Sequence, residues 1–172
     1  HVREKDGLWA VLFWLNLLAS TGLSVQEILD KHWRRFGRHY YTRYDYEEID
    51  KEAAEALMDN LESRLPALPG SSLGDMLVTT ADNFSYTDPV DHSTSSRQGI
   101  RILFDNGSRI VFRLSGTGTQ GATLRVYMET YESDLQLLHL KTADIMHPFV
   151  EIACELAEIE QRTGRSAPTV IT

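Results

Sequence analysis

The chain has 172 residues, 42% of them hydrophobic, which suits one domain or one domain plus part of another. Its formal net charge of −8 argues against a general nucleic-acid or anionic-membrane surface. A single cysteine, Cys154, excludes an intrachain disulfide and fits a reducing compartment, and the six histidines show no metal-ligand spacing.

Residues 6–20 read as a helix with Asp6 as its N-cap. Apolar side chains, among them Trp9, Phe13 and Trp14, occupy nearly all of its faces, so it should be packed on most sides. The apolar run 8–19 is too short to span a bilayer, and Glu4 and Asp6 spoil a signal-peptide reading. If the surface that covers this helix lies outside the chain, self-association or poor solubility is expected. Residues 24–36 form a second helix, opened by a Ser24–Glu27 capping box and ended by Gly37. Residues 39–49 alternate as a strand, with Tyr40, Thr42, Tyr44 and Tyr46 on one side and Tyr41, Arg43 and Asp45 on the other. A new domain is expected to start near here.

Residues 50–65 are an amphipathic helix, with Ala53, Ala54, Leu57, Met58 and Leu61 at helical spacing. A Pro/Gly/Ser loop covers 66–74, a strand 77–86, and a polar loop 87–98. Residues 99–114 are a hairpin marked by Asn106-Gly107. A two-residue loop would pair Phe104 with Arg109 and mix the faces. A three-residue loop pairs Phe104 with Ser108, Ile102 with Ile110 and Ile100 with Phe112, which keeps one face apolar and puts Gly107 in a G1 bulge. Arg101, Arg109 and Arg113 then share the opposite face. The return strand, 123–132, sends Leu124, Val126 and Met128 one way and Arg125, Tyr127 and Glu129 the other.

From 134 to 161 the pattern is helical, broken or restarted at Pro148, which would suit a first helical position. Phe149, Ile152, Ala153, Leu156 and Ile159 make its buried stripe, and Cys154 reads as a small core residue. Gly164 is the expected C-cap and 167–172 an extended tail. Strands bounded by helices, with a hairpin in the middle, give an α+β fold: an antiparallel sheet with helices packed on one face.

The chain is organised around residues 113–125, Arg113-Leu114-Ser115-Gly116-Thr117-Gly118-Thr119-Gln120-Gly121-Ala122-Thr123-Leu124-Arg125. Glycines let successive N–H groups turn inward into an anion-binding concavity, and Ser115, Thr117 and Thr119 add hydroxyls. Arg113 and Arg125 can clamp a phosphate by charge-assisted bonds. Two guanidinium groups repel one another, and a bound dianion relieves that. Arg97, Arg101, Arg109, Arg113 and Arg125 form a local basic patch on an acidic chain, which suits a small anionic ligand. The loop is not a P-loop, since Gly-Lys-Ser/Thr is absent. It matches G-x-G-x-x-G literally, but a strand follows it, so no helix N-terminus would face a pyrophosphate.

This loop resembles the phosphate-binding loop in the last domain of phosphoglucomutases, of the α-D-phosphohexomutase superfamily. The resemblance extends to Arg3-Glu4-Lys5-Asp6-Gly7, His32-Trp33, Tyr41-Thr42-Arg43-Tyr44-Asp45-Tyr46, Ala81-Asp82-Asn83-Phe84, Asp88-Pro89-Val90-Asp91 and the tail 162–172. The chain departs from the family at His92, where glycine is usual, and at Arg97, displaced by one position.

The resemblance implies a TATA-binding-protein-like last, phosphate-binding domain at 38–172, with 1–37 the helical end of the third of four domains and the interdomain linker. It implies interconversion of glucose 1-phosphate and glucose 6-phosphate through glucose 1,6-bisphosphate. The phosphoserine and Mg²⁺ loops of the family are not among these residues, so the chain is expected to carry binding chemistry and to be inactive alone, with no catalytic or metal-binding residue of its own. Arg113, Ser115, Gly116, Thr117, Gly118 and Arg125 are the implied phosphate contacts and Lys5 a substrate contact, while Arg43 is placed near an interdomain hinge at 37–43 that closes on phosphate. The implied partners are a phosphosugar and the remaining domains of a cytoplasmic, monomeric parent, with no nucleic acid or membrane. Two other readings stay open: a catalytically silent relative acting through protein partners, and a free-standing phosphate- or sulfate-binding module.

Overall fold

The computed structural model describes residues 5–115 and 121–172. Gly116, Thr117, Gly118, Thr119 and Gln120 lie outside the described residues, and with them the expected ring of amide donors. The chain divides into two compact units, one of residues 1–38 with 132–139, the other of 39–131 with 140–172.

The first unit holds α1 (Gly7–Thr21) and α2 (Val25–Phe36). Asp6 caps α1 by accepting from the Trp9 N–H at 2.8 Å, and Gly22 ends it in a left-handed conformation. The Ser24–Glu27 capping box is formed in both directions. Bonds from the Ser24 backbone N–H and hydroxyl hold the Glu27 carboxyl below its ordinary range. No residue of α1 is buried, and Leu8, Val11, Leu12 and Leu15 are all more than half exposed. No single helix among the described residues is long and apolar enough to cross a membrane. The turn-rich stretch after residue 132 joins this unit: Arg38 lies 4.2 Å from the Trp33 ring centroid and donates to the Leu138 carbonyl at 2.7 Å.

The second unit is built on a seven-stranded sheet. Its strands are β1 (Arg38–Ile49), β2 (Ser72–Leu73), β3 (Met76–Asn83), β6 (Ile100–Phe104), β7 (Arg109–Ser115), β8 (Ala122–Glu132) and β9 (Val170–Ile171), in the spatial order β2-β3-β6-β7-β8-β1-β9. The expected strand 77–86 ends at Asn83, and the short strands β4 (Tyr86–Thr87) and β5 (Thr94–Ser95) pair separately across the expected polar loop. Ile100 pairs with Phe112 and Ile102 with Ile110, and the Phe104 N–H donates to the Ser108 carbonyl, so the three-residue hairpin loop is formed. Gly107 sits at φ 81°, as the bulge requires.

Helices α3 (Lys51–Arg64), α4 (Thr142–Ala157) and α5 (Ile159–Thr163) supply the apolar partners of the sheet. Ala54, Leu57 and Leu61 from α3 and Met146, Phe149, Ile152, Ala153 and Leu156 from α4 join the inward residues of the strands in one core. Cys154 is half-buried against this core, with Sγ 3.6 Å from the Tyr46 hydroxyl. Burial, then the contact with Cys154, pushes the Tyr46 hydroxyl pKa up.

Pro148 departs from its expected place. It is the seventh residue of α4, not the first, and the helix begins only at Thr142. Proline removes one helical N–H and crowds the preceding turn at a cost of about 3 kcal/mol. The buried stripe from Met146 to Leu156 outweighs that local penalty. Residues 135–139 are turns instead of helix.

Candidate phosphate-binding site

β7 and β8 carry the two ends of the glycine loop. Their register sets Arg113 directly opposite Arg125, Leu114 opposite Leu124 and Ser115 opposite Thr123. Strand alternation then decides the chemistry. Phe112, Leu124 and Val126 go into the core, so Arg113 and Arg125 share the face away from it. Like charges directly opposite one another destabilise a ladder, so this pair calls for a compensating anion.

The contacts of the five arginines in the basic patch separate them. Arg97 donates to Glu62 at 2.8 Å and lies 3.6 Å from Asp59, both on α3. Arg101 donates to both oxygens of Asp82, at 2.8 and 2.6 Å, and lies 4.3 Å from the Phe84 ring centroid. These bonds hold the Asp82 carboxyl below the usual carboxylate range and raise the Arg101 pKa. Arg109 is paired with Glu129. Arg113, by contrast, has no ion pair or side-chain hydrogen bond among the described residues. Arg125 has only a loose partner among the described residues, with Nε 3.5 Å from Oδ2 of Asp45. Three of the five are therefore matched by carboxylates, and the two at the ends of the loop keep donors to spend.

Gly99 makes room for Arg113. A Cβ there would stand 2.8 Å from Cγ of Arg113 and 3.0 Å from the Phe112 carbonyl oxygen, and its φ of +151° lies where side chains are rarely found. The aliphatic stem of Arg113 thus lies over bare backbone. A concavity of about 620 Å³ opens on the same face, with Val111, Tyr127 and Tyr41 among its lining and Arg43, Arg109 and Arg113 around it.

Of the other expected site residues, Ser115 is half-buried at the end of β7, and Lys5 is exposed ahead of α1 in the helical unit. Gly116, Thr117 and Gly118 lie outside the described residues. Arg97 is bound to α3 instead of turning to the loop. His92 adopts φ 59°, the left-handed backbone that a glycine would take without cost. Among the described residues no group of three or more His, Cys, Asp or Glu side chains is placed to hold a metal ion, and no step below runs through one.

Sequence reasoning missed Asp45, Asp82 and Gly99. Alternation does set Asp45 on the strand face of Tyr41 and Arg43, but gives its carboxylate no role in the site. Its buried pairing with Arg125, eighty residues on, leaves no local signal.

Comparison with known proteins accounts for the whole chain. The family model described as Phosphoglucomutase-1, C-terminal domain, matches residues 38–169. Residues 1–36 match that described as Phosphoglucomutase/phosphomannomutase, alpha/beta/alpha domain III. A phosphoglucomutase of Rhizobium radiobacter is 54% identical over all of this chain, and phosphoglucomutase-1 of Homo sapiens 49% identical. The chain spans 32% of the length of each of these relatives. A crystal structure of the Paramecium exocytosis-sensitive phosphoprotein parafusin, itself described as a phosphoglucomutase, superposes in its open form with a TM-score of 0.86. Identity there is 44%, over 100% of this chain and 30% of that one. With a family model matched over residues 38–169 and relatives this similar from bacteria to man, the chain belongs to the phosphoglucomutase family.

Proposed function

We propose that this chain is the phosphate-holding portion of an enzyme that interconverts glucose 1-phosphate and glucose 6-phosphate through glucose 1,6-bisphosphate. Residues 1–37 would be the end of the preceding domain and 38–172 the domain that carries the clamp. The parent would be a cytoplasmic monomer that uses Mg²⁺ and a phosphoserine held by its other domains.

The observation that carries this reading is the pair Arg113–Arg125, face to face across β7 and β8, with Arg113 unmatched by any carboxylate among the described residues. These two side chains, with Ser115 and the loop residues Gly116, Thr117 and Gly118, grip the phosphate that is not being transferred. Lys5 contacts the sugar. Gripping the distal phosphate fixes the position of the reacting oxygen at the other end of the sugar, and binding energy gained remotely lowers the barrier there. The bisphosphate must turn end over end between the two half-reactions. A clamp that recognises phosphate rather than the sugar ring accepts either orientation.

The test is Arg113→Ala and Arg125→Ala, each in the complete enzyme, assayed with glucose 1-phosphate. Each should lose about 2–5 kcal/mol of transition-state stabilisation, read from kcat/KM, the range for truncating one partner of a buried charged contact. Wild-type kcat/KM in both variants overturns the reading.

A further inference from the structure

We infer that Asp45 is a positioning residue, whose carboxylate aims Arg125 at the phosphate and sets the net charge of the clamp. The inference rests on the phosphate-clamp reading above.

Asp45 lies on the strand face of β1 that alternation gives to Tyr41 and Arg43, yet it is only 4% exposed. A buried carboxylate is costly unless it is paired. Its two oxygens are divided between two arginines: Oδ1 accepts from Arg43 Nε at 2.8 Å, and Oδ2 lies 3.5 Å from Arg125 Nε. That second distance is longer than a normal hydrogen bond. Among the described residues Arg125 Nε is accordingly a buried donor with no hydrogen-bond partner, although the side chain as a whole is 40% exposed. The guanidinium is held by its inner edge, and the rest of its five-donor fork remains for a ligand.

The backbone beneath Asp45 is fixed from the other side. Its carbonyl accepts from the Thr169 N–H at 2.8 Å, and Arg43 exchanges two backbone bonds with Thr172, at 2.7 and 3.0 Å. The tail strand β9 therefore locks the segment that presents the carboxylate. A rigid mount of this kind is what a group needs if it is to orient a second one.

The charges also add up. Arg43, Arg113 and Arg125 bring three positive charges and Asp45 one negative, leaving two. A phosphate monoester carries about −1.5 to −2 near pH 7. Without Asp45 the three cations would repel one another and Arg125 would lose the one anchor it has among the described residues.

This gives an unusual sign. Simple electrostatics has neutralisation of Asp45 tightening anion binding, because the site becomes more positive. Positioning has it weakening, because Arg125 swings away. The experiment is Asp45→Asn in the complete enzyme, assayed with glucose 1-phosphate and with inorganic phosphate as competitive inhibitor. The KM and the phosphate inhibition constant should each rise by about tenfold, the lower end for residues that orient a ligand-holding group, with a smaller change in kcat. In an Arg125→Ala background the same substitution should add almost nothing, since the two act as one unit. Tighter or unchanged phosphate binding, or an equal rise in both backgrounds, overturns the inference. Should Asp45→Asn not fold, the same cycle with Asp45→Glu decides: one added methylene displaces the carboxylate, and a KM rise that vanishes with Arg125→Ala supports positioning. No rise there, or an equal rise in both backgrounds, overturns it. If Arg113→Ala and Arg125→Ala both keep wild-type kcat/KM, the clamp reading itself falls. If Arg125→Ala raises KM and Asp45→Asn does not, only this inference falls.

Discussion

The two faces of β6, β7 and β8 carry opposite chemistries on one backbone. On the inner face Ile100, Ile102, Ile110, Phe112, Leu124, Val126 and Met128 are each at most 2% exposed. On the outer face stand Arg101, Arg109, Arg113 and Arg125, with Asp82, Asp45 and Glu129 distributed among them. Because side chains alternate with period two, the inner face alone can fix the register. A one-residue slip would turn every one of those apolar groups outward. The outer face is thereby released from specifying the fold, and it can hold an Arg–Arg pair that by itself is unfavourable.

Adjacent residues on β7 give the sharpest way to break this comparison. Phe112→Ala removes a fully buried ring and should cost about 3–5 kcal/mol of stability. Arg113→Ala, one residue on, removes a like charge opposite Arg125 and should leave stability unchanged or raise it by roughly 0.2–1 kcal/mol. Urea denaturation of both variants checks this. A comparable loss in Arg113→Ala would mean that the outer face does specify the fold. Gly99→Ala comes next in size, because it touches both faces: the new Cβ meets the Arg113 stem and the Phe112 carbonyl. Holding alanine at this φ should cost about 1–3 kcal/mol, and unlike Phe112→Ala it should also weaken phosphate binding by displacing Arg113. Parallel denaturation and phosphate titration separate the two effects.

What could be read in the sequence follows the same division. The Ser24–Glu27 box, the Asp6 cap and the hairpin register rest on residues within a few positions of one another, or on strict alternation, and the structure has them. The sorting of the arginines was not legible. Five arginines near a glycine loop look alike in a sequence, but Asp82, Glu62, Glu129 and Asp45 reach them across strands and helices, and only packing assigns the partners. The same holds for β9, whose pairing with β1 joins residues over 120 positions apart. Pro148 misled for a different reason: the local rule is sound, but burial of the α4 stripe overrides it.

The smallest effect tests whether a matched outer-face arginine is as dispensable to the fold as an unmatched one. Arg101 and Asp82 form a two-bond pair, but their side chains are 31% and 37% exposed. Screening by water keeps such a pair to about 1 kcal/mol or less, so Asp82→Asn should destabilise by no more than that at neutral pH. The pH dependence carries the clearer sign. The bonds from Arg101 hold the folded pKa of Asp82 below its ordinary value of 3.8. A depressed carboxyl contributes its stability in full above the unfolded pKa and loses it as pH falls through the folded one. The stability difference between wild type and Asp82→Asn should therefore be flat from neutral pH down to about pH 5 and shrink below about pH 4. Glu27 and Asp91 are depressed too, by Ser24 and Ser93, so both proteins lose stability in acid and only the difference isolates this pair. A difference that grows in acid would mean that Asp82 is held by its surroundings in the protonated form, and that the outer face is matched in a way the contacts of Arg101 do not account for.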